Sequence, residues 1–449
     1  MSSPGFLYDD AYITLASAQA LWAGYDPHFA GTPPLYGVTS PFHCLVVALL
    51  LPVLPPLWAL VASCVAGAVA YGAGLWALAR RERLGQLESA AMLVAGLGAG
   101  MVSQHLVNGL ETSWAMAWVA WLLAAERGGR ASMLALLAGT APFVRPELGV
   151  LAATLLAHAI WTQPQHRTRL GVLAVAAAAP WLALLWSQTG SIVPSTLAAK
   201  TNWYAEACWP IARRLSVVGS GLWGWLWSMP IAAVGLVMLH RSPTARLAVA
   251  SAATILAVWA WSVPNVLLSY QRHRYYAPFV PLLAWGLMRL PAWIRPVLVA
   301  SAAMAAVLST TSVIRFEPQA IARAMDVRAK VNLALAEAGA NRVLLHDAGF
   351  LAFSHAVPVG IDMLGLKTPL AADLHAQLTG PSCGVDRALA LVKLAAQTQP
   401  SHLVIWGPWD DHFQVSSALG AAGWQLDPVT TVESVEPVFV YTLRKEPRR

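Results

Sequence analysis

Near the start of the chain, "GFLYDDAYITLASAQ" places Asp9 and Asp10 side by side among aromatic and aliphatic residues. Two carboxylates in apolar surroundings cost energy unless each has a partner or a task. Such a group can act as a general base, accept hydrogen bonds from sugar hydroxyls or bind a metal. The structural alternative is a helix N-cap, since "DDAYITLASAQALW" reads as a helix entered through Asp, and one Asp can cap while the other reacts. In "FVRPELG", Arg145 and Glu147 flank Pro146, which interrupts a helix. Arg145 there could clamp a phosphate through two parallel bonds, or pair with Glu147 or Glu111. "QRHRYYAPF" gathers Arg272, His273, Arg274, Tyr275 and Tyr276, a set suited to a lipid phosphate or a sugar. An interfacial aromatic belt accounts for its tyrosines but not for its basic residues. "PSTLAAKTNWY" offers Lys200, the only lysine before Lys330, which near Arg145 and Arg274 would complete an anion site. "NGLETSWAM" supplies Asn108 and Glu111, to neutralise an arginine or to meet acceptor hydroxyls. "LLHDAGFLAF" puts His346 and Asp347 at a strand end and "GIDMLGL" puts Asp362 in a loop, where acids bind ligand or cap turns.

The elements that must hold these residues are membrane helices. Of 449 residues, 57% are hydrophobic and 11% charged, with a mean hydropathy of +0.56. Soluble domains carry about 25% charged residues, so the composition specifies an integral membrane protein. Ten spans are expected, near 56–79, 85–102, 113–126, 131–144, 148–162, 170–188, 217–239, 247–263, 277–290 and 296–314. One set of connections ("RRER", "ERGGR", "QHRTR", "HRSPTAR" and Arg289 to Arg295) holds eleven arginines and is therefore cytoplasmic. The other set carries the chemistry-bearing stretches and lies outside, as do residues 1–40, which contain neither Lys nor Arg. The net charge of +7 resides in those arginine clusters and orients the chain in its membrane, so nucleic acid is not an expected partner.

Residues 1–55 read as a first external loop with interfacial helices, one of them over 42–54, and residues 56–314 as the helical membrane domain. From 315 to 449 the texture changes to a soluble α/β domain: an amphipathic helix, then strands in "NRVLLHDAGFLAF", "PSHLVIWGPW" and "PVFVYTLRK". On this topology Met1 lies outside with no hydrophobic segment to carry it there, so the full protein is expected to have an eleventh, N-terminal span. Cys44 and Cys64 lie in or beside apolar segments, whereas Cys208 and Cys383 both face an oxidising compartment where a disulfide can form.

In order, Asp9-Asp10, "YGVTSP" with Thr39, "NGLET", "VRPE", "PSTLAAKT", "HRYYAP" and "HDAGFLAF…IDMLGL" resemble the membrane-embedded GT-C glycosyltransferases. Within them the series is most similar to the terminal arabinofuranosyltransferase family of mycobacterial cell walls and its Gram-negative relatives. The resemblance implies a polyprenyl-phosphate sugar, such as a pentose like arabinofuranose, as donor, used on the periplasmic side of the bacterial inner membrane. It also implies inverting transfer to a cell-envelope glycan, lipid or protein acceptor, with Asp9 or Asp10 as the base.

The residue chemistry is consistent with that. A sugar phosphate is already a good leaving group, so the enzyme needs an acceptor base and cations for the departing charge. Arg145, Lys200, His273 and Arg274 are the candidate phosphate ligands, and a divalent metal is an alternative carrier of the charge. Tyr12, Thr39, Asn108, Glu111, Glu147, Tyr275, His346 and Asp347 are the candidate substrate contacts. Trp22, Tyr36, Trp203 and Tyr204 are further rings that could stack on a sugar. Two other classes of function fit less of the pattern: a glycolipid transporter or flippase, and a non-catalytic glycan-binding assembly subunit.

Overall fold

The computed structural model describes residues 5–446 apart from 30, 99–100, 228–241, 266–270, 272, 292, 355–356 and 435. Each expected span contains a helix: Pro56–Arg81, Gln86–Gly98, Thr112–Arg127, Ala131–Val144, Leu148–Thr162, Arg167–Thr189, Ile211–Trp227, Pro243–Ser262, Val280–Leu287 and Arg295–Glu337. The second half of the span expected at 217–239 lies outside the described residues. Pro56–Arg81, Pro164–Thr189 and Pro243–Ser262 are by themselves long and apolar enough to cross a membrane. Thr112–Arg127 and Val280–Leu287 are shorter and mostly buried, so that protein replaces part of the lipid contact there. Small residues let the bundle close up: a Cβ on Gly139 would lie 2.1 Å from the Ala174 carbonyl oxygen.

Four of the five arginine-bearing connections are joined to one another at one end of this bundle. Arg127 Nε donates to Glu82 at 2.6 Å, Arg289 pairs with the same carboxylate, and Arg295 pairs with Glu88. Glu126 accepts from Thr244 at 2.7 Å and stands 3.5 Å from His158. Acidic and basic residues of separate loops thus neutralise one another there, well apart along the chain from the stretches with candidate chemistry.

At the other end stand the first loop and the α/β domain. The loop begins with helix Asp9–Ala23 and continues to helix Pro41–Leu50, whose N-cap Ser40 accepts from His43 N. The domain boundary expected at 315 falls inside one helix, Arg295–Glu337, whose 43 residues extend about 65 Å. The sheet has order β2-β1-β3-β5-β4, with β1 Arg342–Leu345, β2 Val359–Asp362, β3 His402–Trp406, β4 Trp424–Val432 and β5 Val438–Lys445. β1 runs parallel to both β2 and β3, and β5 pairs antiparallel with β3 and β4.

Three corrections follow. β2 and β4 are strands the sequence pattern did not separate from loops, because β2 has four residues and β4 contains Pro428. "FLAF" is a helical turn, Phe350–Phe353, and not the end of a strand. Asp362 is the last residue of β2, buried, and accepts from Leu364 N at 3.0 Å and Lys367 N at 2.7 Å.

The α/β domain is fastened to the first loop by a buried ion pair, Lys367 Nζ to Asp26 at 2.9 Å. The same ammonium donates to Ser17 Oγ at 3.0 Å and the Tyr36 carbonyl at 3.2 Å. Gly37, at φ +80°, lets the loop pass beneath the domain: a Cβ there would sit 2.0 Å from the Leu366 oxygen. A disulfide joins Cys208, beyond helix Ser195–Tyr204, to Cys383 of the domain across 175 residues, while Cys44 and Cys64 are free and buried.

Peptide mapping under non-reducing conditions should therefore recover a Cys208–Cys383 cross-linked peptide. Cys383→Ser should lower the thermal midpoint of the detergent-solubilised chain, by an amount equivalent to roughly 2–5 kcal/mol. An unlinked peptide together with an unchanged midpoint would show that the tie does not exist.

Candidate functional site

Asp9 and Asp10 occupy the first turn of helix Asp9–Ala23, where the helix dipole favours negative charge. Adjacent residues on a helix point about 100° apart, and the two carboxylates accordingly turn to different partners. Asp9 reaches the α/β domain, accepting from Gly349 N at 2.6 Å and Phe350 N at 2.8 Å. Gly349 makes this approach possible, since a Cβ there would meet Asp9 O at 2.3 Å and Asp9 Oδ2 at 2.8 Å. Asp10 turns toward the bundle, where its Oδ2 accepts from Arg274 at 3.0 Å and from Gln271 Nε2 at 3.3 Å. Neither side chain caps its own helix.

Around Asp10 the separate stretches converge. Arg145 and Arg274, 0% and 2% exposed, lie 4.9 and 5.3 Å from the centroid of the Tyr275 ring. Glu111 Oε1 stands between them, 3.3 Å from Arg145 and 3.4 Å from Arg274. Arg145 Nε also donates to Glu147 at 2.6 Å, and Arg274 donates to Gln271 Oε1. Both terminal nitrogens of Arg145, and Nε of Arg274, make no well-formed hydrogen bond among the described residues. Arg145 Nη1 is nonetheless in the ion pair with Glu111, which leaves Arg145 Nη2 and Arg274 Nε as the donors not engaged there. Lys200, on helix Ser195–Tyr204, interacts with Tyr275 and Asp10. Thr39 Oγ1 donates to Thr196 Oγ1 at 3.3 Å, and Ser195 Oγ accepts from Gly37 N at 3.1 Å, tying that helix to the first loop.

A cavity of about 20 Å³ is lined by Asp10, Thr39, Glu111, Thr196, Lys200 and Arg274. That is space for about one water molecule, so a larger ligand has to displace the existing ion pairs. Three cations (Arg145, Lys200, Arg274) face three carboxylates (Asp10, Glu111, Glu147), and the cluster is neutral when all six are ionised.

Electrostatics separate the two aspartates. Burial pushes Asp10 up, but Lys200 and Arg274 pull harder and hold it below the ordinary carboxylate range. Glu111 is likewise lowered, with Arg274 and Arg145 outweighing burial. Asp9 has a single cation acting on it, Arg328, and burial, then Asp347, outweigh its pull and raise Asp9 to about 7. Burial raises Asp347 to about 6 and lowers the neighbouring His346 to about 4, so that His346 is neutral near pH 7.

The remaining candidates fall elsewhere. Tyr12 is fully buried, with its hydroxyl accepting from Phe6 N at 2.9 Å and its ring against Phe350 at 5.1 Å, so it packs the seam between loop and domain. Asn108 Oδ1 accepts from Leu110 N at 3.0 Å, a turn that delivers Glu111 inward. His273, at φ +63°, turns its ring to Tyr276 at 6.0 Å and does not line the cavity. Arg272 lies outside the described residues. Trp203 is core, stacked on Trp409 at 5.8 Å, and Trp22 is mostly exposed, donating to the Ala48 carbonyl at 2.7 Å. His346 and Asp347 line a different cavity, together with Asp9.

Three contributors escaped the sequence reading. Gln271, at φ +54°, bridges Asp10 and Arg274; its adjacency to the basic run was the available signal. Arg328 donates to the Phe6 and Leu7 carbonyls at 2.8 and 3.0 Å, yet in sequence it is one charge among several on a helix face. Lys367 resembled an ordinary loop lysine. Among the described residues, no three His, Cys, Asp or Glu side chains are grouped to hold a metal ion.

No family model matches the chain, and no curated protein does. Among solved structures, the chain is similar to the crystal structure of ArnT from Cupriavidus metallidurans bound to undecaprenyl phosphate. The identity is 14%, the TM-score 0.53, and the match covers 98% of this chain and 95% of that one. The two share a fold over nearly their whole lengths.

Asp9 generates a pH prediction. Its folded value of about 7 lies above the ordinary 3.8, so the folded state binds the extra proton. Stability from this group is complete below about pH 4 and is lost as the pH rises through about 7. Asp362, fully buried and raised to about 7, acts in the same direction. The thermal midpoint should therefore fall between about pH 5.5 and about pH 8, and Asp9→Asn should flatten that slope. A midpoint that rises across this window would refute the assignment.

Proposed function

We propose that the chain is a GT-C type membrane glycosyltransferase that takes a sugar from a polyprenyl-phosphate donor and passes it, with inversion, to an acceptor outside the membrane. One observation carries the reading: Asp10, Glu111, Arg145, Lys200 and Arg274, drawn from five segments of the chain, converge in one buried cluster with unused guanidinium donors. A base beside a group of cations is what transfer from a sugar phosphate needs. The fold shared with ArnT, whose structure holds undecaprenyl phosphate, supports the same donor class. The Cys208–Cys383 bond favours an oxidising, periplasmic side for the cluster and the α/β domain. The donor sugar to test first is a pentose such as arabinofuranose, on the sequence resemblance, with a cell-envelope glycan, lipid or protein as acceptor.

In this reaction the acceptor hydroxyl gives its proton to Asp10 while its oxygen bonds to the anomeric carbon. The bond from that carbon to the phosphate oxygen breaks on the opposite face. Lys200, Arg274 and Arg145 receive the charge that develops on the departing phosphate. The donor also tunes the base: its phosphate engages the cations that hold Asp10 low at rest, and the carboxylate becomes a better proton acceptor. Asp9, bonded to two backbone amides, holds the α/β domain against the loop. Glu147 orients Arg145, and Thr39 and Thr196 lie at the cavity wall.

Transfer of radiolabelled sugar from a polyprenyl-phosphate pentose should fall about 10²–10⁴-fold in Asp10→Asn, the loss typical of a missing general base. Arg274→Met and Lys200→Met should lose activity strongly, whereas Asp9→Asn should retain measurable transfer. Full transfer by Asp10→Asn would remove the base assignment, and transport of the sugar lipid across vesicles with no glycosidic product would favour a flippase.

A further inference from the structure

The α/β domain contains a crevice that the reaction as described leaves unused. In the order β2-β1-β3, the chain leaves β1 toward one side, forms β2, and returns across β1 to form β3. Open α/β sheets bind ligands at such a reversal, outside the carboxyl ends of the strands. Here those ends are Leu345, followed by His346 and Asp347, and Trp406. A cavity of about 390 Å³ lies there, lined among others by Asp9, Arg328, His346, Asp347, Trp406 and Glu436. Glu433, Glu436 and residues 323–331 of helix Arg295–Glu337 contribute to its wall.

Its walls specify a ligand class. His346 is buried and its ring interacts with the Val404 backbone. Its Nε2 stands 3.7 Å from Asp347 Oδ1, and its ring meets Trp406 at 5.5 Å. Being neutral, it can offer one donor and one acceptor. Five carboxyl-bearing residues and two arginines line the cavity; Asp326 is paired with Lys330, and Asp347, Glu433 and Glu436 alone outnumber the arginines. An anion is disfavoured there. Carboxylates accept hydrogen bonds from hydroxyls, a half-buried indole packs against a sugar ring, and a neutral imidazole serves either polarity. Asp9 connects this crevice to the cation cluster, because it lines the crevice while its neighbour Asp10 faces the cations.

We infer that this crevice binds the acceptor, a saccharide bearing hydroxyl groups and no net negative charge, beside Asp9 and so next to the residue that takes its proton, Asp10. The inference rests on the glycosyltransferase reading. It divides the substrates between two places: anionic donor among the arginines and Lys200, neutral acceptor at the sheet end.

Saturation-transfer NMR on the purified full chain in nanodiscs tests the crevice without turnover, using methyl pentosides, hexosides and 2-amino-hexosides against methyl glucuronide. The neutral and amino glycosides should receive saturation and the glucuronide should not. The signal should vanish in Trp406→Ala and weaken in Asp347→Asn, a rim variant that leaves the core intact, while Asp10→Asn retains it. No signal from any glycoside, or a signal unchanged in both crevice variants, would overturn the inference. A stronger signal from the glucuronide would overturn it too. Glycoside binding that persists while wild-type membranes show no sugar transfer would instead sink the proposed reaction and leave the crevice as a saccharide site.

Discussion

Two guanidinium groups, Arg145 and Arg274, lie wholly inside the protein near the Tyr275 ring and share the Glu111 carboxylate. A buried charge without its partner costs several kcal/mol, typically about 3–5 when one member of a pair is removed. The fold has to bring carboxylates to these arginines, and the carboxylates come from distant segments. Asn108 turns the chain so that Glu111 faces inward, Pro146 breaks the helix so that Glu147 folds back on Arg145, and the first loop supplies Asp10. The convergence of loops at this end of the bundle is therefore required by electrostatics as much as by packing.

The adjacent aspartates illustrate how position on a helix turn divides labour. Asp9 and Asp10 have the same chemistry and neighbouring backbone positions, yet one is raised and the other lowered. The difference arises from what each side chain faces: backbone amides and another acid for Asp9, two cations for Asp10. An Asp near neutrality would by its proton affinity alone be the better base. Geometry argues the other way, because both oxygens of Asp9 are occupied by Gly349 and Phe350 amides. On the proposed reading the phosphate supplies what Asp10 lacks at rest, by drawing Lys200 and Arg274 to itself.

Much of this was legible in the sequence. Apolar length located the helices, and arginine clustering separated the two ends of the bundle; Glu82 and Glu126 then join those basic loops in the structure. Residue type marked Glu111, Arg145, Lys200 and Arg274, because charges beside apolar segments are costly and conspicuous. What stayed hidden had no such contrast. Gln271 is polar but uncharged, and its role depends on a left-handed backbone conformation. Lys367 sits in a polar stretch where a lysine is unremarkable, although it forms the buried pair with Asp26. β2 is too short for alternation to register, and Asp362 could be placed only once that strand was seen. The choice between Asp9 and Asp10 was equally beyond the sequence, since it depends on which way each side chain leaves the first turn.

The small cavity at Asp10 raises the question of what gives way when a donor arrives. Helix Ser195–Tyr204, which carries Lys200, is held at both ends. Ser195 and Thr196 contact the first loop, while Arg387 donates to the Trp203 carbonyl at 2.8 and 3.0 Å and the disulfide follows at Cys208. Moving that helix would drag the α/β domain with it. The arginines, by contrast, already have donors without hydrogen bonds, and their carboxylate partners can be exchanged for phosphate oxygens with little change in charge. On the proposed reading, the donor enters by replacing Asp10 and Glu111 around Arg274. The step that admits the phosphate then also frees Asp10 to take the acceptor's proton, which couples donor binding to the readiness of the base without any large movement of the fold.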